Sequence, residues 1–370
     1  MKYRFSEKTR VMALTPHPDD ESVAIGGLLS AAAGAGAAVH VLYVTNGDND
    51  PWPQRAIERR WRIGSEDRSR WGVRRRDEAF SALQILGMSA EAVSFLNYPD
   101  QGITDLLMRG DEGLAERLAA FVDSWRPTVL VTPSLSDIHP DHSAAAVYVR
   151  QAIARLKNRP ELLWIEYLVH NRNSPMFSRE NVYLSMSPEQ RVTKRAAIAC
   201  HKTQTLFRSR KLFAFADRDE GFTSVSDNPE PLHPDHPVRE SDCVDGALRL
   251  KLVTSSCLGA FGPITLYLAA NQQGHAKVRM ATRLPWYPSK RSVDVCDTRT
   301  SKVVGRAWFA GGPRKAEIVF EHAILGSIDQ LFVKLDRHFG FFDEAGWRQL
   351  PVPGSLRQDS SMRSGWTERT

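Results

Sequence analysis

Cysteine is scarce: four residues in 370 (Cys200, Cys243, Cys257 and Cys296), widely spaced and without a CxxC pair. That spacing excludes a disulfide framework and a cysteine-based zinc site, so any metal must be sought among His, Asp and Glu. No apolar run approaches the roughly 18–20 residues of a membrane span. The opening MKYRFSEKTRVMALTP has too short an apolar stretch for a signal peptide. The expectation is a cytoplasmic protein with at most peripheral membrane contact. Recognised nucleic-acid-binding motifs are missing, and nucleic acid is not expected as a partner. Internal repeats are missing too, except that His-Pro-Asp-His occurs twice, at 139–142 and at 233–236.

What is present describes a globular chain long enough for two or three domains. Hydrophobic residues make up 42% and charged residues 25%, which is ordinary, and the formal charge of +6 is unevenly spread. Residues 55–78, RAIERRWRIGSEDRSRWGVRRRDE, hold nine arginines and two tryptophans. The simplest reading is a solvated, partly helical stretch laced with ion pairs to Glu58, Glu66 and Asp67. The alternative is a face for a phosphorylated substrate or an anionic lipid surface, because guanidinium binds phosphate bidentately.

The first half alternates strand and helix. VMAL (11–14) is a short buried strand, SVAIGGLLSAAAGAGA a helix packed closely through small residues, and VHVLYVTNGD a second strand. RRRDEAFSALQILGM, GLAERLAAFVDSWRP and SAAAVYVRQAIARLK follow as helices, with AVSFLNYP and TVLVTPS as strands. PEQRVTKRAAIACHKTQT is a helix opened by Pro188. This order predicts an α/β domain with a doubly wound, mostly parallel, Rossmann-like sheet over 1–215. Residues 216–242 read as an acidic, proline-rich linker. Short alternating stretches such as ITLYLAANQ and QLFVKLD predict an all-β, sandwich-like accessory domain over 243–353, and 354–370 reads as a mobile tail. Trp286, Tyr287 and Trp308 are assigned to the core of that domain in preference to sugar stacking.

The chemistry gathers at two strand ends. The first strand runs into TPHPDDES, which sets His17, Asp19 and Asp20 in a βα loop, where parallel sheets build ligand sites. A histidine and a carboxylate suit Zn²⁺, and a neighbouring carboxylate can take a proton from water. Helix capping alone would explain the acids but not His-Pro before them. The strand TVLVTPS runs into SDIHPDH, the same context. Together the loops offer two histidines and one carboxylate, as catalytic zinc sites require. The copy at 233–236 lacks a preceding strand or following helix and reads as a solvated loop.

PHPDDE with a downstream HPDH resembles the LmbE-like deacetylases, the family of N-acetylglucosaminyl-phosphatidylinositol de-N-acetylases (PIG-L). VLYVTNGD, RRRDEAFSALQILG with Arg75 and Glu78, FLNYPDQG and HKTQ at 201–204 resemble further family segments, so the likeness spans roughly 8–210. It implies Zn²⁺ held by His17, Asp20 and His142. Asp19 would be the general base, and His139 would stabilise the oxyanion or protonate the leaving amine. Arg75 and Asp100 would orient substrate or its neighbours. The implied reaction is hydrolysis of the acetamide of an N-acetylated amino sugar, and the arginines favour an anionic or lipid-linked conjugate. An amidase for another amide, or a binding module on an inactive scaffold, are the competing expectations. Departures from the pattern are Gln101 inside Pro-Asp-Gly, Ile138 before HPDH, and His201 in place of an aromatic.

Overall fold

A computed structural model describes residues 4–158, 160–171, 182–226, 236–244, 247–253, 264–312, 314–321, 324–336 and 341–352. The chain forms two compact units. The first contains Met1–Leu106 and Leu114–Asp227, and the second Leu107–Gly113 and Asn228–Thr370.

In the first unit the strands are β1 (Arg10–Thr15), β2 (Ala38–Thr45), β3 (Val93–Tyr98), β4 (Val129–Pro133), β5 (Leu163–Tyr167), β6 (Val182–Leu184) and β7 (Glu220–Ser224). The helices are α1 (Asp20–Gly34), α2 (Pro51–Glu58), α3 (Ser65–Ile85), α4 (Ile103–Arg109, whose residues from Leu107 are grouped with the second unit), α5 (Gly113–Trp125, Gly113 likewise), α6 (Pro140–Arg155), α7 (Pro188–Cys200) and α8 (Lys202–Phe213). Sheet order is β3-β2-β1-β4-β5-β7-β6. The first five strands are parallel, while β7 runs antiparallel to both β5 and β6. From β1 the chain winds outward to β2 and β3, then returns to place β4 on the other side of β1. The switch point between β1 and β4 is where such sheets open a crevice at their carboxyl ends.

The strands are short runs of β-branched and aliphatic residues because both faces are covered. Val11, Ala13, Val41, Tyr43, Val129 and Val131 are buried against Val23, Ile25, Leu28 and Leu29 of α1, together with Ala79, Ala82 and Leu83 of α3. Each buried Val, Leu or Ile side chain contributes about 1.5–3 kcal/mol when removed from water, and each alanine much less. The small residues of α1 have a reason at Gly27, where a Cβ would stand 2.4 Å from Met186 Sδ and 3.1 Å from Glu220 Cδ. Glu220 needs that approach: it accepts the Gly27 and Leu28 amides at 2.7 and 2.8 Å and pairs with the buried Lys194 ammonium.

Two expectations need correction here. Residues 216–242 are not simply a linker. Strand β7 lies within them, and so does most of the first strand of the second unit, β8 (Val238–Val244). Only Phe222 gives β7 an apolar signature, and its strand form comes from pairing with β5 and β6, which no local pattern announces. The grouping of Leu107–Gly113 with the second unit likewise cuts across a first domain running unbroken to 215.

The second unit continues with β9 (Ala247–Val253), β10 (Ile264–Gln272), β11 (His275–Leu284), β12 (Ser289–Asp297), β13 (Val303–Gly311), β14 (Lys315–Glu321), β15 (Gln330–Asp336) and β16 (Arg348–Leu350). These strands form one antiparallel sheet, ordered β16-β15-β10-β11-β12-β13-β14-β9-β8. The all-β expectation holds. The sheet rolls until its two edges meet, where Arg348 Nη1 donates to Val238 O and His236 bonds Gly346 O at 3.3 Å. Inside lie Leu250, Leu266, Leu268, Val295, Phe309, Ile318, Phe320 and Val333. Buried Arg279 donates from Nε to Leu107 O at 2.8 Å and from Nη1 to Ala270 O at 2.8 Å. The core assignment of Trp286, Tyr287 and Trp308 is wrong: all three are exposed. Trp308 falls between Ala307 and Phe309, which point inward, so the period-2 alternation sends it out.

The duplicated tetrapeptide also departs from its solvated-loop reading. His233 lies outside the described residues. His236 is buried, and its Nδ1 accepts the Val238 amide at 3.1 Å at the start of β8. It is a structural histidine of the sheet edge.

Candidate active site

The loops after β1 and β4 flank the switch point, and the residues they carry converge. Asp20 Oδ2 accepts the His17 amide at 2.9 Å and so bends the loop back on itself. The same oxygen lies 3.2 Å from His142 Nε2 and 3.5 Å from His17 Nδ1, and the two ring nitrogens are 3.2 Å apart. Three donor atoms thus form a near-equilateral triangle. Helix α6 starts at Pro140, one residue after its N-cap His139, so His142 is already in the first turn and points back at the loop after β1.

Carboxylates behind the rings set their orientation. His142 Nδ1 faces Asp137 Oδ2 at 3.1 Å, and His17 Nε2 faces Asp100 Oδ1 at 3.1 Å and Asp141 Oδ2 at 3.4 Å. With protons on those outer nitrogens, His17 Nδ1 and His142 Nε2 present lone pairs to each other and to Asp20. Two lone pairs and a carboxylate in van der Waals contact require a cation among them. Tetrahedral N and O ligands at about 2.0–2.1 Å from zinc stand about 3.3–3.4 Å apart, and the triangle matches that spacing. The donor set therefore fits Zn²⁺.

In the metal-free cluster, protons supply the positive charge. Burial opposes an imidazolium at His142, but the charges of Asp20 and Asp137 outweigh it and push the ring up to about 10. His17 is buried too, and hydrogen bonds to Asp100, Asp141 and Asp20 hold it well above the usual histidine range. Asp20 behaves in the opposite sense: burial would raise it, yet the two rings hold it well below the usual carboxylate range.

Asp19 sits at the N-cap of α1 but makes no capping hydrogen bond, and its φ of 136° lies where non-glycine residues are strained. Its amide donates to Glu21 Oε2 at 2.9 Å, and its Oδ1 lies 3.3 Å from Arg75 Nη2. Glu21 Oε1 in turn meets His201 Nε2 at 2.7 Å and Ser22 Oγ at 2.6 Å. Burial raises the Asp19 carboxyl and Arg75 offsets part of that, leaving it at about 6. At neutral pH it is a carboxylate close to its own pKa, a good condition for taking and returning a proton.

His139 lies beside the triangle, its ring centroid 4.7 Å from those of both His17 and His142. Its Nδ1 accepts the Asp141 amide at 3.2 Å, so the neutral ring carries its proton on Nε2. Arg75 donates to Gly47 O at 3.0 Å and to Pro18 O at 2.5 Å as well as facing Asp19, which ties the β1 and β2 loops together. A Cβ on Gly47, at φ 63°, would lie 2.3 Å from Arg75 Nη1, so only glycine admits that clamp. Asp100 takes the Asn49 amide with its second oxygen at 2.7 Å. The inserted Gln101 gives its amide to Asp141 at 2.7 Å. Thr203 of the HKTQ segment bonds Glu78 through both its amide and its hydroxyl, the latter at 2.6 Å.

All seven residues singled out from the sequence lie in this one cluster. Asp137, Asp141 and His170 were not singled out. Asp137 is fully buried and accepts the amides of His139, Val169 and His170 at 2.8, 3.1 and 3.2 Å besides facing His142. His170 follows β5, and its ring centroid lies 5.2 Å from that of His142. Its burial outweighs the attraction of Asp137 and lowers it to about 4. The signal was present: a histidine just past the carboxyl end of another parallel strand is a candidate by the same rule that picked His17.

The fold and cluster define a class, a Rossmann-like α/β domain with a histidine–carboxylate centre at its switch point. Within that class, residues 12–153, which lie in the first unit except for Leu107–Gly113, match the family model described as GlcNAc-PI de-N-acetylase, PIG-L. One relative is the 1D-myo-inositol 2-acetamido-2-deoxy-alpha-D-glucopyranoside deacetylase of Mycolicibacterium vanbaalenii, 31% identical over 43% of this chain and 59% of its own. Another is the probable N-acetyl-alpha-D-glucosaminyl L-malate deacetylase 2 of Bacillus subtilis, 26% identical over 54% of this chain and 84% of its own. Among solved structures, the N,N'-diacetylchitobiose deacetylase from Pyrococcus horikoshii is 20% identical, with a TM-score of 0.45 over 59% of this chain and 84% of its own. The chain spans between half and three fifths of the length of the first inositol-conjugate deacetylases it matches.

Proposed function

We propose that the chain is a zinc-dependent N-deacetylase that hydrolyses the acetamide of an N-acetylated amino sugar, releasing acetate and a free amine. The observation that carries this reading is the triangle of His17 Nδ1, Asp20 Oδ2 and His142 Nε2, with sides of 3.2–3.5 Å. The deacetylases among its relatives support the substrate class. His17, Asp20 and His142 would hold the ion, which when bound supplies Lewis acidity to the amide carbonyl and acidifies water. Asp19 takes the proton of the attacking water as its oxygen bonds the carbonyl carbon. Arg75 and Glu21 fix that carboxylate in its strained position. His139 donates to the oxygen on which charge develops, or to the nitrogen as the C–N bond breaks, leaving amine and acetate. Asp137 and Asp100 hold the rings of His142 and His17, and Arg75, whose two terminal nitrogens are taken by backbone carbonyls and Asp19, orients the base and not the sugar. A cytoplasmic location belongs to the same reading.

The test is amine release from a panel of N-acetylglucosamine conjugates: free sugar, nucleotide-linked, lipid-linked and polymeric. Turnover of at least one, lost on chelation, restored by zinc and lost in Asp19→Asn, is expected. A zinc-loaded chain that releases no amine from any of them overturns the proposal.

A further inference from the structure

We propose that the face made by α2, the loop joining it to α3, and α8 is a docking surface for an anionic lipid bilayer. Trp52 and Trp61 are 68% and 78% exposed, yet neither ring is loose. The Arg55 guanidinium lies 5.0 Å from the Trp52 ring centroid and 5.7 Å from that of Trp61, and its Nε donates to Trp61 O at 3.0 Å. Two indoles held outward beside one cation bury little in the fold. Helix α8 packs against α2, with Gln204 donating to Asp50 at 3.2 Å, and adds Leu206 and Phe207, 60% and 57% exposed. Scattered single apolar side chains on a surface need no explanation, but four large ones on two adjoining helices and the loop after the first do.

The charge around them is predominantly positive, with Glu66 the exposed acid of the first turn of α3. Glu58 and Asp67 are engaged by Arg60 and Arg70. Among the described residues, Arg59, Arg62, Arg208 and Arg210 have no carboxylate within ion-pair distance. Helix α8 carries Lys202, Arg208, Arg210 and Lys211 and no acid. Tryptophan prefers the headgroup level of a bilayer, where the ring body is apolar and its N–H stays wet, and guanidinium pairs with lipid phosphate. Leu206 favours a bilayer over a nucleic acid, since an aliphatic side chain gains area in the acyl boundary and little against bases, whereas Phe207 would suit either. The surface starts two residues beyond Asn49, whose amide donates to Asp100 beside His17.

The experiment measures partitioning of the full chain onto vesicles of mixed phosphatidylcholine and phosphatidylglycerol against phosphatidylcholine alone, with tryptophan emission as a second readout. Binding to the mixed vesicles only, with a blue shift and a fall on adding salt, is expected. Trp52→Ala with Trp61→Ala should lower partitioning roughly tenfold or more. The separate pair Arg59→Ala with Arg62→Ala should lower it about fivefold per charge at low salt. Equal binding to both vesicle types, no binding to either, or indifference to both variant pairs overturns the proposal. So does a single-stranded oligonucleotide that displaces the chain from mixed vesicles at a lower concentration than lipid.

Discussion

Replacing Asp137 with alanine should damage the site and the fold together, and the two effects can be separated. The carboxylate is fully buried, and its oxygens collect the His142 imidazole and the amides of His139, Val169 and His170 at 2.8–3.2 Å. Each buried donor left without a partner costs about 1–3 kcal/mol, so four of them set a loss of about 4 kcal/mol as the lower bound. Asparagine is the sharper probe. Three donors meet Oδ2, so the amide oxygen must turn there, and its NH₂ then opposes only the His139 amide, which Oδ1 accepts in the native chain. Asp137→Asn should thus lose about 1–3 kcal/mol of stability, one hydrogen bond's worth, and keep its fold. Loss of the anion behind a ligating imidazole typically lowers metal affinity by about 10–100-fold. Because Asp137 also helps hold a proton on the metal-free ring, affinities are compared across pH, and the deficit should be widest at alkaline pH, where protons no longer compete. Zinc competition against a chromogenic chelator and urea unfolding of the metal-free chain give the two numbers. Wild-type zinc affinity in Asp137→Asn at every pH, or a loss well under about 4 kcal/mol in Asp137→Ala, would refute this account of the loop.

Two more outcomes follow from the same geometry. His142→Ala should abolish stoichiometric zinc, while His236→Ala should retain it and lose stability instead, because its ring joins the edges of the second sheet; metal analysis and thermal melts distinguish the two. The pH dependence of zinc uptake has a definite sign: His142, at about 10, and His17, also raised, both hold protons at neutral pH in the metal-free chain, so binding must release them. Affinity should fall as pH falls, and titration in two buffers of different ionisation enthalpy should show proton release near pH 7; uptake without proton release contradicts the assignment of these rings as ligands.

Much of the first unit was legible because its signals are local. Apolar runs ending at Pro16 and Pro133, small residues at Gly26 and Gly27, and Pro188 at a helix start are patterns a few residues long. The motif residues were legible for a similar reason: His17, Asp19 and Asp20 share one loop, and His139 and His142 share one turn. Strand β7 was not, since Phe222 is its sole apolar marker and its ladder partners lie some sixty and forty residues upstream. Helix α8 was read only as the tail of α7, although His201 separates the two, with its backbone at φ −78° and ψ 64°.

By itself, the sequence determined which chemical groups were available, and that an alternating α/β domain would carry two of its polar loops at strand ends. Only the tertiary structure decided that those loops lie side by side, because the winding of the chain reverses between β1 and β4. It also decided the fates of the two identical tetrapeptides. One sits between a buried parallel strand and a helix, where its last histidine meets Asp20 and Asp137; of the other, His236 meets a backbone carbonyl at a sheet edge. An imidazole's role is set by the atoms within about 3 Å of its nitrogens, and four letters of sequence do not contain them.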